Sequence, residues 1–360
     1  MLGPRQCGKT TLARSFAMPG SSQYFDLEDP VDSERMAQPK NVLENLKGTV
    51  VIDEVQRQPE LFPILRVLAD RLPLPAKFLI LGSAAPDLIK HSSESLAGRV
   101  ERIVIGGFSL EEIEKKSFES LWLRGGLPRS FLAENDEESF IWRREYVQSF
   151  VERDLPLHGI SLPALTLLRF WTMLSHYHGQ VFNASEIARS LGISVMTVKR
   201  YLDILTGVFM IRQLSPWFAN VKKRQVKAPK IYFYDTGILH ALLGIHTMND
   251  LLAHPKQGAS WEGFVIEEVI RVMKPDDVYF WATHQGAEID LVFSKGGRMY
   301  GVEIKRADAP TMTPSMRIAL EDLKLKKIIV IYPGKKRYSL HKKIEVVPFD
   351  EVLGRIERLI

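Results

Sequence analysis

The sequence predicts an α/β chain of several domains: a phosphate-loop core, a helical connector, a helix-turn-helix segment and a second α/β module. Three observations carry this. Apolar strand text alternates with helical text over roughly the first 110 residues. Helical spacing replaces it up to Gly179, and strand text returns after His254 behind an amphipathic helix. A length of 360 residues accommodates two to four cores and excludes a peptide hormone or disulfide mini-protein. No stretch approaches the roughly 18 uncharged apolar residues of a membrane span, so nothing is expected to cross a bilayer and no membrane is expected as a partner. The single cysteine, Cys7, excludes a disulfide framework and a Cys-based zinc site. With no secretory segment before the first motif, a cytoplasmic location is expected. The formal charge of +5 points mildly to a polyanionic partner.

The first domain is expected over residues 1–108. Gly3-Pro4-Arg5-Gln6-Cys7-Gly8-Lys9-Thr10 fits Gly-x-x-x-x-Gly-Lys-[Ser/Thr], and runs through Thr11 into a helix predicted over Lys9 to Ala17. Such a loop wraps main-chain amides around phosphates. Lys9 supplies charge to the β- and γ-phosphates of ATP, and Thr10 offers Mg²⁺ a hydroxyl. The strand text Thr49 to Ile52 ends in Asp53-Glu54, so Asp53 is expected to reach Mg²⁺ through water and Glu54 to orient or deprotonate the attacking water. A further strand ends in Leu81-Gly82-Ser83, where Ser83 would sense the γ-phosphate. Arg99 lies where a neighbouring subunit's phosphate could be reached, the position of an arginine finger in a homo-oligomer, although exposed arginines are commonly solvated surface.

Residues 109–160 read as a helical lid or connector, and residues 161–240 as a winged helix-turn-helix. Asn183 caps one helix, Gly192 ends it, and Ser194 caps the next. On that second helix Val195, Val198, Leu202 and Leu205 are expected inward. Met196, Thr197, Lys199, Arg200 and Asp203 are expected outward, with Lys199 and Arg200 offered to DNA. Lys222, Lys223, Arg224, Lys227 and Lys230 follow where a wing would lie. A protein contact is the alternative use of the same surface.

Residues 255–360 form the last domain. Strands are expected at 278–283, 288–293, 298–305 and 327–332, with a helix near Pro314 to Leu323. The turn between Glu288-Ile289-Asp290 and Glu303-Ile304-Lys305 is a hairpin signal that lets Asp290, Glu303 and Lys305 converge. Glu262, on the preceding apolar helix, completes a carboxylate set for Mg²⁺. The arrangement resembles the PD-(D/E)xK nuclease fold, which implies either a phosphodiester-cleaving site or an inactive binding platform; a salt-bridged hairpin would produce the same text.

The phosphate loop, Val51-Ile52-Asp53-Glu54, Leu96-Ala97-Gly98-Arg99, Arg124-Gly125-Gly126-Leu127-Pro128, Glu152-Arg153-Asp154-Leu155 and Tyr234-Asp235-Thr236-Gly237 together resemble one family. It is the prokaryotic AAA+ ATP-binding proteins that join an AAA-type (AAA_14-like) N-terminal domain to a C-terminal DUF4143 domain. The resemblance covers nearly the whole chain. It implies an ATPase core of the AAA+/STAND kind, with Gly126-Leu127-Pro128 as a Gly-x-Pro element that places Pro128 against the nucleotide base. Family members carry a leading helix and a full strand before the loop, whereas here only Met1 and Leu2 precede Gly3, so a shortened first strand and weaker nucleotide binding are expected. The activity implied is ATP hydrolysis coupled to a DNA-directed, nuclease-like module. The alternatives are a nucleotide-controlled regulator or scaffold that cuts nothing, and a nuclease with a vestigial ATPase domain.

Overall fold

The computed structural model describes residues 1–17, 21, 23–83, 96–113, 117–157, 162–217 and 227–352. They form two compact units, Met1–Gly107 with Leu202–Met210, and Phe108–Tyr201 with Ile211–Ile360.

The first unit is built on parallel strands. β2 (Tyr24–Asp26), β3 (Gly48–Asp53) and β4 (Ala76–Ile80) form one sheet in that order. β1 (Leu2–Gly3) pairs in parallel with β5 (Gly82–Ser83), which follows β4 after Leu81. Leu81 keeps the two pieces in line, its N–H donating to the Ile52 carbonyl at 2.8 Å and its own carbonyl accepting from Val55 at 3.0 Å. The strand that ends in Ser83 therefore lies between the strand that feeds the phosphate loop and the one that ends in Asp53. Val50, Val51 and Ile52 are fully buried, as expected for a parallel strand covered on both faces. Phe25, Val50 and Ile52 share a core with Leu61, Phe62, Leu65 and Leu68 of the helix Leu61–Ala69. β1 has only two residues, and hydrogen bonds tie it on both sides. Leu2 N–H donates to Ile103 at 2.8 Å, Ile105 N–H returns a bond to Leu2 at 2.8 Å, and the Met1 ammonium donates to Ile80 at 2.7 Å.

In the second unit, helices Phe118–Arg124, Pro128–Phe131 and Asp136–Ser149 run into a π-turn over Phe150–Asp154. A further helix spans Ala164–His176. β6 (Gln180–Val181), the helix Ala184–Leu191, the helix Val195–Gly207 (whose residues from Leu202 on belong to the first unit), β7 (Ile211–Leu214) and β8 (Lys230–Phe233) follow along the chain, the three strands forming an antiparallel sheet with β8 in the centre. Helix Thr236–Leu243 and the long helix Gln257–Met273 lead to a six-stranded sheet, ordered β13-β14-β12-β11-β10-β9. Its strands are β9 (Asp277–Ala282), β10 (Glu288–Lys295), β11 (Arg298–Ile304), β12 (Lys327–Tyr332), β13 (Tyr338–His341) and β14 (Ile344–Pro348). β9, β10 and β11 are an antiparallel meander, and β12 joins β11 in parallel through the crossover helix Pro314–Asp322. Trp261, Phe264, Val265, Ile266 and Val269 of the long helix bury one face of this sheet. Among the described residues no helix is long and apolar enough to cross a membrane.

Two fully buried histidines link these helices. His178 accepts from the Phe233 N–H at Nδ1 (3.0 Å), so its Nε2–H donates to the Ala259 carbonyl at 3.1 Å. Trp122 donates to Ser260, whose hydroxyl then donates to His240 Nε2 at 2.7 Å, leaving His240 Nδ1–H to the Leu123 carbonyl at 2.8 Å. Both rings are neutral, and burial pushes each down to about 3 from an ordinary 6.5. A depressed histidine binds its proton first in the unfolded chain, so its stabilisation is complete above pH 6.5 and drains away between 6.5 and 3. At pH 5 the loss is about 2 kcal/mol per ring. Urea titrations at pH 7 and pH 5 should therefore give a stability difference about 2 kcal/mol smaller in His240→Gln than in the parent. An unchanged difference would mean the ring titrates normally when folded.

Candidate functional site

In the first unit, the loop after β1 reaches its helix through left-handed backbone at Gln6 (φ 60°) and Gly8 (φ 99°). Leu12 N–H is the first to turn back, to the Gly8 carbonyl at 2.9 Å, so the amides of Lys9, Thr10 and Thr11 head the helix Lys9–Ala13 without intrahelical carbonyls. The helix is shorter than the predicted stretch to Ala17. Lys9 is buried, and its Nζ donates to the carbonyls of Pro4 at 2.8 Å and Gly3 at 3.1 Å, spanning the loop from within. A Cβ on Gly3 would stand 2.1 Å from the Ile105 carbonyl oxygen, so the loop's approach demands glycine. Cys7 is buried with its Sγ 3.7 Å from that same carbonyl, a packing position. Arg5 and Thr10 are half-buried and Thr11 is exposed.

Asp53 ends β3, almost fully buried. Its Oδ1 accepts from the Glu54 N–H at 3.0 Å and its Oδ2 from the Tyr24 hydroxyl at 3.0 Å. Tyr24 escaped the sequence reading because a strand tyrosine carries no motif; burial, then Asp53, pushes its phenol up. Glu54 is left-handed at φ 55°, ψ 42°, an uncommon conformation for a residue with a side chain. Burial pushes its carboxyl up, while the Gln56 amide and the Lys9 charge pull it back. Lys9 and Glu54 thus act on one another across the strand ends, where α/β sheets bind ligands. Ser83 ends β5 beside β1. Arg99 is engaged in its own chain: Nε and Nη2 grip Asp70 at 2.5 and 2.9 Å, both side chains exposed.

The second unit gathers Glu262, Asp290, Glu303 and Lys305. Leu291 pairs with Val302, which brings Asp290 and Glu303 to the head of the β10–β11 ladder. Against β9 the register of β10 shifts between Ile289 and Val292; these residues, three apart, pack in one core cluster, so a bulge takes Asp290 out of simple alternation. Asp290 Oδ2 accepts from the Ile304 N–H at 2.7 Å, and Glu303 Oε1 meets Lys305 Nζ at 2.6 Å. Glu303 Oε2 is buried without a hydrogen-bond partner. Burial, then Glu262 and Glu303, pushes Asp290 well above the usual carboxylate range; burial raises Glu303 as well, with Lys305 opposing.

Two corrections arise here. Lys230, read as part of a phosphate-facing wing, is buried: its Nζ lies 3.4 Å from Glu262 Oε1, pairs with Glu288, and sits 5.5 Å from the centre of the Phe280 ring. The Tyr232 hydroxyl also donates to Glu262. Accordingly Glu262, Asp290 and Glu303 do not form the expected three-carboxylate cage: no group of three or more Asp, Glu, His or Cys among the described residues is arranged for a metal ion. Lys230 and the Tyr232 phenol hold Glu262, and Lys305 holds one oxygen of Glu303, while the other Glu303 oxygen is left buried without a hydrogen bond.

On the helix Val195–Gly207, Lys199 and Arg200 are exposed and Val198, Leu202 and Leu205 buried, but Val195 is exposed as the first residue rather than inward. Lys222, Lys223 and Arg224 lie outside the described residues. Pro128 opens its short helix and lines a cavity of about 450 Å³ with Arg129, Leu132, Ala133, Glu138 and Trp142, all in the second unit.

Three family descriptions match in sequence: an AAA domain (AAA_14) over residues 1–114, the domain of unknown function DUF8612 over 115–249, and the domain of unknown function DUF4143 over 257–352. "Uncharacterized protein Mb2031c" of Mycobacterium bovis and "Uncharacterized protein Rv2008c" of Mycobacterium tuberculosis are each 50% identical over 362 residues, spanning 100% of this chain and 82% of the relative. A crystal structure of protein VC1899 from Vibrio cholerae aligns over 99% of this chain and 96% of its own at 10% identity, with a TM-score of 0.21 that carries no structural argument. With half its residues shared along its full length and this order of domains, the chain belongs to the family of proteins that join an N-terminal AAA domain to a C-terminal DUF4143 domain.

Proposed function

We propose that this protein binds and hydrolyses ATP with an AAA+-type P-loop core, and that its nucleotide state is coupled to a DNA-directed C-terminal module. One observation carries the reading: Lys9 is held inside a glycine loop at a helix start, and the strand that pairs with the loop's own strand continues the neighbour of the one ending in the buried Asp53, which Glu54 follows. On ATP binding Lys9 exchanges the Gly3 and Pro4 carbonyls for phosphate oxygens, and the amides of Gly8 to Thr11 take the remaining charge. Thr10 and Asp53 would hold Mg²⁺, which neutralises charge on the β- and γ-phosphates. Glu54 orients the attacking water, and Ser83 senses the γ-phosphate. The test is phosphate release by the full chain with and without duplex DNA. Turnover that depends on Lys9 and rises with DNA is expected; absence of turnover overturns the ATPase reading.

The DNA reading draws on the order of elements a winged helix has: the helices Ala184–Leu191 and Val195–Gly207 followed along the chain by strands of a three-stranded antiparallel sheet. Lys199 and Arg200 then contact phosphates. Replacing both with alanine should weaken duplex binding about tenfold and flatten the log–log salt dependence by about 2, checked by fluorescence anisotropy across a salt series. Unaltered binding would assign this face to a protein partner.

The C-terminal order of helix, three-strand meander, crossover helix and parallel strand, with Asp290, Glu303 and Lys305 at one end, supports a PD-(D/E)xK nuclease-like domain. A second reading, a nucleotide-controlled scaffold with an inactive nuclease-like domain, is favoured by Lys230 seated among the carboxylates. Mg²⁺-dependent nicking lost in Asp290→Ala would decide for cleavage.

A further inference from the structure

The carboxylate cluster is composite. Glu262, Glu288, Asp290 and Glu303 come from residues 257–352, but Lys230 and Tyr232 come from β8 in the preceding domain. Lys230 is pinned through its backbone, Val181 pairing with it on one side and Leu214 on the other. Its side chain then carries an ammonium to Glu262 and Glu288, close enough for Asp290 to act on it as well. Two features mark a second cation position beside it: the Glu303 Oε2 atom, buried with no hydrogen-bond partner among the described residues, and Asp290, almost fully buried with one oxygen on the Ile304 amide. An ammonium on a four-carbon stem is compact and rotatable, and differs in both respects from a fixed ligand.

We propose that Lys230 is the resident cation of this cluster and competes with a divalent cation for it, so that metal enters only as the ammonium withdraws. The proposal rests on the cluster being a cation site, as the nuclease-like reading holds. The physical reason is charge balance. With Lys230 in place, Glu262 and Glu288 are compensated, and a doubly charged ion at Asp290 and Glu303 meets a neighbouring positive charge in a poorly screened interior. With Lys230 gone, the same oxygens present uncompensated negative charge to the ion. Because Lys230 is part of the central strand of the β6-β8-β7 sheet, loading the cluster and moving that strand are linked, and by reciprocity whatever displaces β8 favours metal.

The test uses nucleotide-free full chain and Mn²⁺ as the probe, with binding read from the electron paramagnetic resonance of free Mn²⁺. Lys230→Met should bind Mn²⁺ at least tenfold more tightly than the parent, and adding Asp290→Asn should remove the gain. Equal, Asp290-dependent affinity in both proteins overturns the competition while leaving the cation site standing. No Asp290-dependent binding in either overturns the cation site and the competition together. Should Lys230→Met fail to fold, reductive methylation of the parent decides: Lys230 should be modified faster at saturating Mn²⁺, and an unchanged rate overturns the proposal.

Discussion

Lys9→Ala is expected to lower ATP turnover by about 10²–10³-fold, the cost typical of removing one donor to transition-state charge. Glu54→Gln should lower turnover by about 10²-fold or more while leaving nucleotide bound. The two variants fail for different reasons. Lys9 bridges the Gly3 and Pro4 carbonyls, so its loss both removes the phosphate charge and loosens the loop, and nucleotide affinity falls with turnover. Glu54 touches neither carbonyl, and its amide form keeps shape and volume. Its pH signature separates it further. Burial raises the Glu54 carboxyl above an ordinary 4.5, so turnover should decline as the pH drops through that raised value. Glu54→Gln should retain no such acid limb in its residual rate. Phosphate release across pH, paired with binding of a fluorescent ATP analogue, measures both. Loss of binding in Glu54→Gln would show that the carboxylate charge helps hold the nucleotide rather than only positioning water.

Sequence text disclosed whatever depends on period and pattern. The run Lys327–Tyr332 is a strand with the predicted bounds, and Thr49–Ile52 lies in one that ends at Asp53, because continuous apolar runs bounded by polar residues have few other solutions. The meeting of Asp290, Glu303 and Lys305 was legible from one hairpin. Lys230 was not: charge is visible in sequence but burial is not, and nothing in a basic run marks that Lys230 turns inward to carboxylates from another domain. The β10 bulge at Asp290 was equally hidden, since an extra strand residue leaves no compositional mark. Arg124-Gly125-Gly126 and Asp235-Thr236-Gly237 read only as turns and family text, because their close approach is a property of two segments more than 100 residues apart, as the Asp235 contact with Gly126 shows.

That approach makes Gly237→Ala the most destructive small substitution expected in the second unit. Asp235 caps the helix Thr236–Leu243 by accepting from Ile238 at 3.0 Å, and its other oxygen accepts from the amides of Gly126 at 2.8 Å and Leu127 at 3.3 Å. Arg143, fully buried, closes the junction from the third side, donating to the carbonyls of Leu123 at 3.2 Å and Gly237 at 3.1 Å. Burial pulls its guanidinium down to about 10, which leaves it charged at neutral pH and dependent on these acceptors. A Cβ at Gly237 would stand 2.0 Å from the Arg124 carbonyl oxygen and 2.9 Å from Arg143 Cδ. The nearest obstacle is backbone, so no rotamer relieves it and the two segments must separate. Breaking the cap and exposing or orphaning the buried charges should cost about 4 kcal/mol or more. Gly192→Ala provides the control: its φ of +67° strains any side chain, yet nothing lies within 4 Å of its Cβ, so the cost should be about 1 kcal/mol. Urea unfolding followed by circular dichroism measures both variants. Gly237 has ordinary helical backbone, so equal losses would show that the junction yields to a methyl group, and a large loss at 237 alone attributes the glycine to the fit of the arginine-glycine-glycine turn against the aspartate-capped helix.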